Sequence, residues 1–217
     1  MAQSTYLQII NKVKVLLRED EATSSTEDAY TKLISRYVDT ALDRVEKAWE
    51  WSQLNTVSQA TYSTAFSYVT TSVPHDGTLY WVYDYTNRNF LEPRDEKWYY
   101  DQIADGVDTG NPQYYITPPF TTADTSSLYL LYPKPTASIT IQYCYYAPTV
   151  ISSDSDTVVL DDEPIVWYAY MLALKERGED GGFTVADAYA QYKEALADNI
   201  SRDMQYHPEE RKTWHTV

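Results

Sequence analysis

The chain has 217 residues, 43% of them hydrophobic, which is enough for one large domain or two small ones with a hydrophobic core. Its formal net charge of −15 argues against a surface that binds nucleic-acid phosphates. The one cysteine excludes an internal disulfide and a cysteine-based metal site, and no apolar run approaches the ~18 residues of a membrane helix.

The first fifty residues predict two amphipathic helices. Apolar residues recur at helical spacing over 6–17, with Ser4 as the expected N-cap. A longer stripe covers 30–49 and follows Ser24 and Glu27, which have the spacing of a capping box. We therefore expect a second helix that packs this stripe against a core.

The middle of the chain, 52–159, changes to a period of two and predicts strands. The clearest candidates are 78–85, 128–132 and 138–147. A proline-containing connector separates the last two, so we expect them to form an aromatic hairpin. A short helix is expected within 93–105.

From residue 161 the helical pattern returns. Acidic residues and a proline at 161–164 suit the first turn of a helix. The next segment, 165–178, is apolar almost all round, which is typical of a helix buried on most sides. A last amphipathic stripe covers 184–200.

This order predicts an α+β fold: a discontinuous helical bundle of two N-terminal and two C-terminal helices, with an inserted antiparallel β module. The expected domains are a helical bundle domain at 1–51 and 160–203, an inserted β domain at 52–159, and a C-terminal arm at 204–217. Large side chains expected in the helical core are Tyr37, Trp49, Trp167 and Met171.

Motifs for catalysis or cofactor binding are missing from the sequence. Six glycines form no dinucleotide or phosphate loop, and His75, His207 and His215 lack the spacing of a helical zinc pair. The acidic run 152–157 lacks the pattern of a calcium loop and is interpreted as a solvated linker. Cys144 is expected to be a small, buried or half-buried strand residue. We expect no enzyme activity, no cofactor and no metal.

Aromatic residues of the β region are candidates for a binding surface. They suit a sugar-stacking platform, a core, or an interface with a neighbouring subunit. The interface is favoured because two adjacent strand residues cannot both face one core. The candidates for a subunit or nozzle interface are Trp81, Trp98, Tyr99, Tyr100, Tyr114 and Tyr115.

The whole chain resembles the head-to-tail adaptor proteins of tailed bacteriophages, especially the short-tailed type called tail tubular protein A or gatekeeper. The resemblance covers residues 1 to about 203. It is carried by segments spread along the chain, namely "EKAWEWSQL" (46–54), "SVPHDGTLYWV" (72–82), "GNPQYYI" (110–116), "LYLLYPKPTASITIQYCYYAP" (128–148) and "LDDEPIVWYAYMLALKERG" (160–178).

The resemblance implies a structural protein of the virion tail or neck, made in the host cytoplasm. Such adaptors form a dodecameric ring between the portal protein and the tail nozzle protein, and double-stranded DNA passes through the ring without tight binding. A charge of −15 per chain gives roughly −180 per dodecamer, which would repel phosphates wherever it lines a channel.

The last segment, Arg202 to Val217, predicts an arm that is mobile in the free chain, because it carries no apolar stripe. Its simplest interpretation is an end without a role. Adaptors of this type reach the portal with a C-terminal arm, so the resemblance implies docking and ordering on the portal. The docking candidates are Met204, Tyr206, Arg211, Lys212 and Trp214.

Two other functions stay open at this point. One is a carbohydrate-binding virion module, in which Trp81 and Trp98 stack on sugars. The other is a glycoside hydrolase that uses two of the many carboxylates.

Overall fold

The structure is a computed structural model that describes residues 3–63, 68–73, 78–104, 106–116, 127–178 and 184–206. Within these ranges the chain forms five α-helices and seven β-strands, which confirms the α+β class. The helices are α1 (Tyr6–Leu16), α2 (Ala29–Glu46), α3 (Glu96–Ile103), α4 (Asp162–Arg177) and α5 (Val185–Asp203). The strands are β1 (Asn55–Tyr62), β2 (Tyr68–Thr71), β3 (Leu79–Asp84), β4 (Asn89–Arg94), β5 (Tyr114–Ile116), β6 (Ser127–Tyr132) and β7 (Ile139–Tyr146).

The chain divides into two compact units. The first, here called the helical unit, combines Met1–Leu54 with Thr149–Val217 and holds α1, α2, α4 and α5. The second, the β unit, is Asn55–Pro148 and holds the strands and α3.

Helix α4 is the centre of the helical unit, since it contacts α1, α2 and α5. The nearly uniform apolar character of its sequence predicted this burial. Small residues at Ala169 and Ala173 are fully or almost fully buried and allow neighbouring helices to approach closely. Its C-terminus is capped by Gly178, whose φ of 64° lies in the left-handed region that glycine adopts without strain.

The core side of α2 follows the predicted stripe at Ile34, Val38, Leu42 and Val45, all buried. The large residues expected beside them in the core are instead half-buried. Alanines and branched side chains pack closely at the centre of the core. Larger side chains lie at its margin, where the polar atoms of Tyr and Trp can form hydrogen bonds. The half-buried residues are Tyr37, Trp49, Trp167 and Met171.

The start of α1 differs from the prediction by one residue. Thr5, not Ser4, is the N-cap, and it forms a capping box with Gln8. Ser4 Oγ donates instead to the carboxylate of Asp162 in α4. Because Thr and Ser both satisfy the free N–H groups of a first turn, the sequence alone did not separate them.

Helix α2 begins four residues later than the expected capping box. Asp28 is its N-cap, and the carboxylate accepts from the backbone N of Thr31 at 2.7 Å. Glu27 turns away, and its Oε2 accepts from the backbone N of Thr23. In the acidic run at 152–157, four of the six residues are exposed, as expected for a solvated linker, and Asp154 accepts from the backbone N of Ser25.

The β unit is one sheet in the order β1-β7-β3-β4-β5-β6-β2. The outermost strands β1 and β2 also contact each other, so the sheet curls around its core. Strand β7 shows the predicted alternation, because Ile139, Ile141, Tyr143 and Tyr145 are buried among the core residues. Cys144 is buried as well, as expected for a small strand residue.

The sheet is mixed, which corrects the expectation of a purely antiparallel module. Strands β4 and β5 run parallel, with Pro93 opposite Tyr115. A parallel pair needs a long crossover, and the chain between these strands contains the predicted short helix α3.

The expected aromatic hairpin does not form. Strand β6 pairs with β5 and β2, whereas β7 pairs with β1 and β3. The connector between them bonds elsewhere: the backbone N of Lys134 donates to Asp108 O, and Gly110 N donates to Lys134 O. This connector therefore joins strands that are not neighbours in the sheet.

A buried carboxylate lies where the chain re-enters the helical unit. Oε1 of Glu46, at the end of α2, accepts from the backbone N of Thr149 at 3.0 Å. Burial raises the pKa of Glu46 above its ordinary 4.5, although the hydrogen bonds from Thr149 oppose the shift. Asp43 raises this pKa and Lys47 lowers it to a smaller extent.

Replacing Leu42 by Ala tests the helical core. Leu42 is 5% exposed, so we expect the free energy of unfolding to fall by about 2–5 kcal/mol. Val150 in the same unit is 81% exposed, and Val150→Ala is the matched control, with an expected change below about 0.5 kcal/mol. Denaturant unfolding followed by circular dichroism measures both. Equal effects of the two substitutions would contradict the assignment.

The substitution Glu46→Gln tests the buried carboxylate through pH. Between pH 4.5 and the raised pKa of folded Glu46, the folded chain retains a proton that the unfolded chain releases. The contribution of Glu46 to stability is therefore present below pH 4.5 and is lost as pH rises through its folded pKa. Gln keeps an acceptor and does not ionise, so the stability of the variant relative to the native chain should increase from pH 4 to 7. Parallel pH profiles in denaturant unfolding would refute the buried site.

Candidate functional site

Four aromatic residues on β3, β4 and the turn after β3 face away from the core. Strand alternation places Val82 and Leu91 in the core, so their neighbours lie on the opposite face of the sheet. Phe90 is 66% exposed and stands opposite Tyr83 in the register, with ring centroids 4.9 Å apart. We call this surface the aromatic sheet face; its residues are Trp81, Tyr83, Tyr85 and Phe90.

Next to the aromatic sheet face, the neighbouring strands carry a row of glutamines. Tyr83 lies opposite Gln142 of β7, and Gln142 lies opposite Gln59 of β1. The ring centroids of Trp81 and Phe90 are 6.0 Å apart, and the two rings are nearly perpendicular. Aromatic rings grouped on one face and bordered by amides have the composition of a protein–protein interface.

A second group of rings packs around Trp98 of α3. The Trp98 ring centroid is 4.8 Å from that of Tyr114 and 5.4 Å from that of Tyr132. The Arg94 guanidinium lies over Tyr114 at 4.8 Å and over Trp98 at 5.6 Å. We call these four residues the arginine–aromatic cluster. Its contacts hold α3 onto the sheet and leave Trp98 half-buried.

The hydroxyl of Tyr132 extends this cluster towards the loop that precedes β5. It donates to Asp108 Oδ2 at 2.9 Å, and burial together with this hydrogen bond raises the pKa of Tyr132. Tyr99 is half-buried against Tyr132, while the adjacent Tyr100 is exposed. Of this pair, Tyr100 is the residue that presents its ring to solvent.

Tyr115, also among the interface candidates, lies within the core of the β unit. It is buried, its ring meets Tyr129 edge-on at 6.2 Å, and burial raises its pKa to about 12. Its neighbour Tyr114 is half-buried on the other side of β5. Adjacent strand residues thus face opposite sides, as the strand pattern requires.

The base of the C-terminal arm is held by Asp203, the last residue of α5. Its buried carboxylate accepts from Trp49 Nε1 at 3.0 Å and from the backbone N of Ser52 at 3.1 Å, and Ser52 Oγ also donates to it. Beyond this anchor, Met204 is exposed and Tyr206 is 69% exposed. The other three docking candidates, Arg211, Lys212 and Trp214, lie outside the described residues.

Sequence reasoning missed Phe90, Tyr83, Tyr85 and Asp203. The signal for the three aromatics was the turn at 85–88, because a hairpin there sets Phe90 opposite Tyr83. No local signal marks Asp203, since its partners are about 150 positions earlier in the chain.

No group of three or more His, Cys, Asp or Glu residues in the part of the chain that the structure describes is placed to hold a metal ion. The three histidines considered from the sequence, His75, His207 and His215, all lie outside the described residues. No described helix has the length and apolar character needed to span a membrane.

Comparison with known proteins gives one family. The model of the family described as SU10 adaptor protein matches residues 4–212, a range that includes every helix and strand above. No individual curated protein matches the chain.

Adjacent substitutions on β4 test whether the aromatic sheet face is dispensable for folding. Leu91→Ala removes a core side chain and should lower the free energy of unfolding by about 2–5 kcal/mol. Phe90→Ala removes only ring contacts at the surface, and its expected cost is about 1 kcal/mol or less. Denaturant unfolding of the two variants provides the comparison. A larger loss for Phe90→Ala would show that this face is part of the core.

Proposed function

The chain belongs to the SU10 adaptor protein family of phage head-to-tail adaptors, and from this we propose that it forms the ring that joins the portal to the tail nozzle. Membership makes the chain a structural component of the virion that interacts with other head or tail proteins. The observation that carries the proposal is the extent of the match, which covers nearly the whole chain.

The two ends of the chain act together as one functional domain in this proposal. Residues 1–51 and 160–203 make a discontinuous helical bundle that builds the ring wall. The contacts of α4 with α1, α2 and α5 support it, because they unite segments from both ends of the chain. The inserted β domain, 52–159, offers its surface to the nozzle or to a neighbouring subunit.

The ring is a dodecamer, and exposed aromatic residues supply its contacts. Tyr and Trp often anchor interfaces because they combine a large apolar area with a polar tip. The aromatic sheet face and the outer side of the arginine–aromatic cluster are the proposed surfaces. The residues retained from the sequence are Trp81, Trp98, Tyr99, Tyr100 and Tyr114, to which we add Tyr83, Tyr85 and Phe90.

The net charge supports a DNA conduit that does not retain DNA. With −15 per chain, a ring surface that faces the channel repels phosphates instead of exchanging counterions with them. The genome would pass without sequence readout and without tight binding.

The C-terminal arm, 204–217, docks on the portal. Met204 and Tyr206 are exposed immediately beyond the Asp203 anchor, and Arg211, Lys212 and Trp214 follow in the sequence. Trp and Arg are the residue types that most often dominate binding energies. The anchor sets the position from which this arm leaves the helical unit.

This role is structural, without catalysis or cofactor, and we place the protein in the virion neck after synthesis in the host cytoplasm. Carbohydrate binding is less favoured, because Arg94, Tyr114 and Tyr132 already pack on Trp98. No specific observation favours a two-carboxylate hydrolase.

Portal joining by a chain that ends at Tyr206 tests the arm. This end point retains Asp203 and its hydrogen bonds, so the loss of 207–217 leaves the base of the arm intact. We expect the truncated chain to join purified portal rings at least 10-fold more weakly than the full chain, as measured by native mass spectrometry. Trp214→Ala in the full chain should account for more than about 1 kcal/mol of that loss.

The matched control is Lys193→Ala, an exposed position of α5 ten residues before Asp203. It should join as the native chain does. Equal joining by the truncated and full chains would reject the arm as the anchor, and a full chain that never joins portal would reject the adaptor role proposed here.

A further inference from the structure

A wide groove runs along the surface of the helical unit. Its walls are α1, the loop after α1 at Glu21, the start of α4, and Arg202 near the end of α5. Its volume is about 950 Å³, at the upper end of the roughly 300–1,000 Å³ typical of ligand pockets. All of its lining residues belong to the helical unit.

Part of the groove lining is apolar, and we call this part the floor. Leu16, Val166 and Trp167 line it together with Val15, which is 54% exposed. Val15 lies outside the buried stripe of α1, so folding of the helical unit leaves it uncovered. An apolar floor with an uncovered aliphatic residue suits an aromatic side chain of a docked segment.

The rim of the groove is rich in carboxylates. Asp162 is paired with Lys12, and Asp161 lies 3.7 Å from Arg202. Glu21 and Glu163 are exposed and form no ion pair with any residue that the structure describes. The rim thus offers two carboxylates to a basic partner.

We propose that this groove binds the C-terminal segment of the same chain, residues 207–217, in the free protein. In this proposal Trp214 would pack on the apolar floor, and Arg211 and Lys212, which follow Glu209 and Glu210 in the sequence, would face Glu21 and Glu163. The inference concerns the chain by itself and does not depend on the portal.

Chain geometry supports this occupant over others. Arg202 forms part of the groove wall, and the described chain ends four residues later at Tyr206. Trp214 lies eight positions after Tyr206, and an extended chain over eight positions reaches roughly 26–29 Å. The arm therefore leaves the helical unit beside the groove with enough length to return to it.

The sequence alone predicted a mobile arm because the segment contains no core of its own. The groove supplies the missing apolar surface, but one indole ring offsets only part of the entropy lost on ordering. The docked arm should therefore exchange with a released one. Such an arm is shielded from unspecific contacts and still accessible to a stronger partner.

Disulfide trapping in the full chain tests this proposal. The variant pair Val15→Cys with Thr213→Cys places one thiol in the groove and one beside Trp214, while the native Cys144 is buried. The control pair, Lys193→Cys with Thr213→Cys, uses an exposed α5 position that does not line the groove. Under mild oxidation we expect the groove pair to close within one chain at least 10-fold faster than the control pair.

Adding Trp214→Ala to the groove pair should reduce its rate to that of the control. Hydrogen exchange of full-length Trp214→Ala gives a second readout that needs no new cysteine: the amides of 11–17 should exchange at least 3-fold faster than in the native chain. Equal closure rates for the two pairs, or closure only between two chains on a non-reducing gel, would overturn the proposal. So would native-like exchange in Trp214→Ala.

Discussion

The packing of α4 against α1, α2 and α5 is the interaction on which the helical unit depends. Because α4 follows the β strands in sequence, its burial requires the chain to leave the helical unit after Leu54 and to return at Thr149. Two buried carboxylates stabilise the segments at which this happens. Asp203 binds Trp49 and Ser52 shortly before the exit, and Glu46 binds the backbone of Thr149 at the return. Both carboxylates are satisfied by N–H groups, which offsets the cost of removing them from water.

The surfaces that remain uncovered explain why a structural role suits this chain. Phe90 lies opposite Tyr83 on the solvent side of the sheet, where it adds nothing to the buried core. Exposed apolar patches of this kind mark surfaces that a binding partner covers. Leu91 and Val82 lie on the opposite, buried side of the same strands. Residues of the exposed face can therefore be substituted without loss of the core. An adaptor that meets several virion proteins needs this independence.

Local patterns predicted most of the helices and strands, because burial of one face leaves a period in the sequence. The stripe from Ile34 to Val45 and the alternation in β7 are examples, and the apolar segment 165–178 predicted the central position of α4. Pairing between strands was not predictable in the same way. The connector at Lys134 resembles a hairpin turn, yet its backbone bonds to Asp108 and Gly110 hold β6 away from β7. The Asp203 anchor also depends on residues about 150 positions away, and no local pattern encodes such a contact.

We propose that this chain forms the ring between portal and tail. Electron cryomicroscopy of the phage neck tests it most directly, because side-chain density identifies the protein at that position. We expect a closed ring in which the helical unit of each copy forms the wall, the aromatic sheet face meets a protein surface, and the C-terminal arm contacts the portal. A neck built without this chain, with the protein found elsewhere in the virion and its aromatic sheet face open to solvent, would contradict the account.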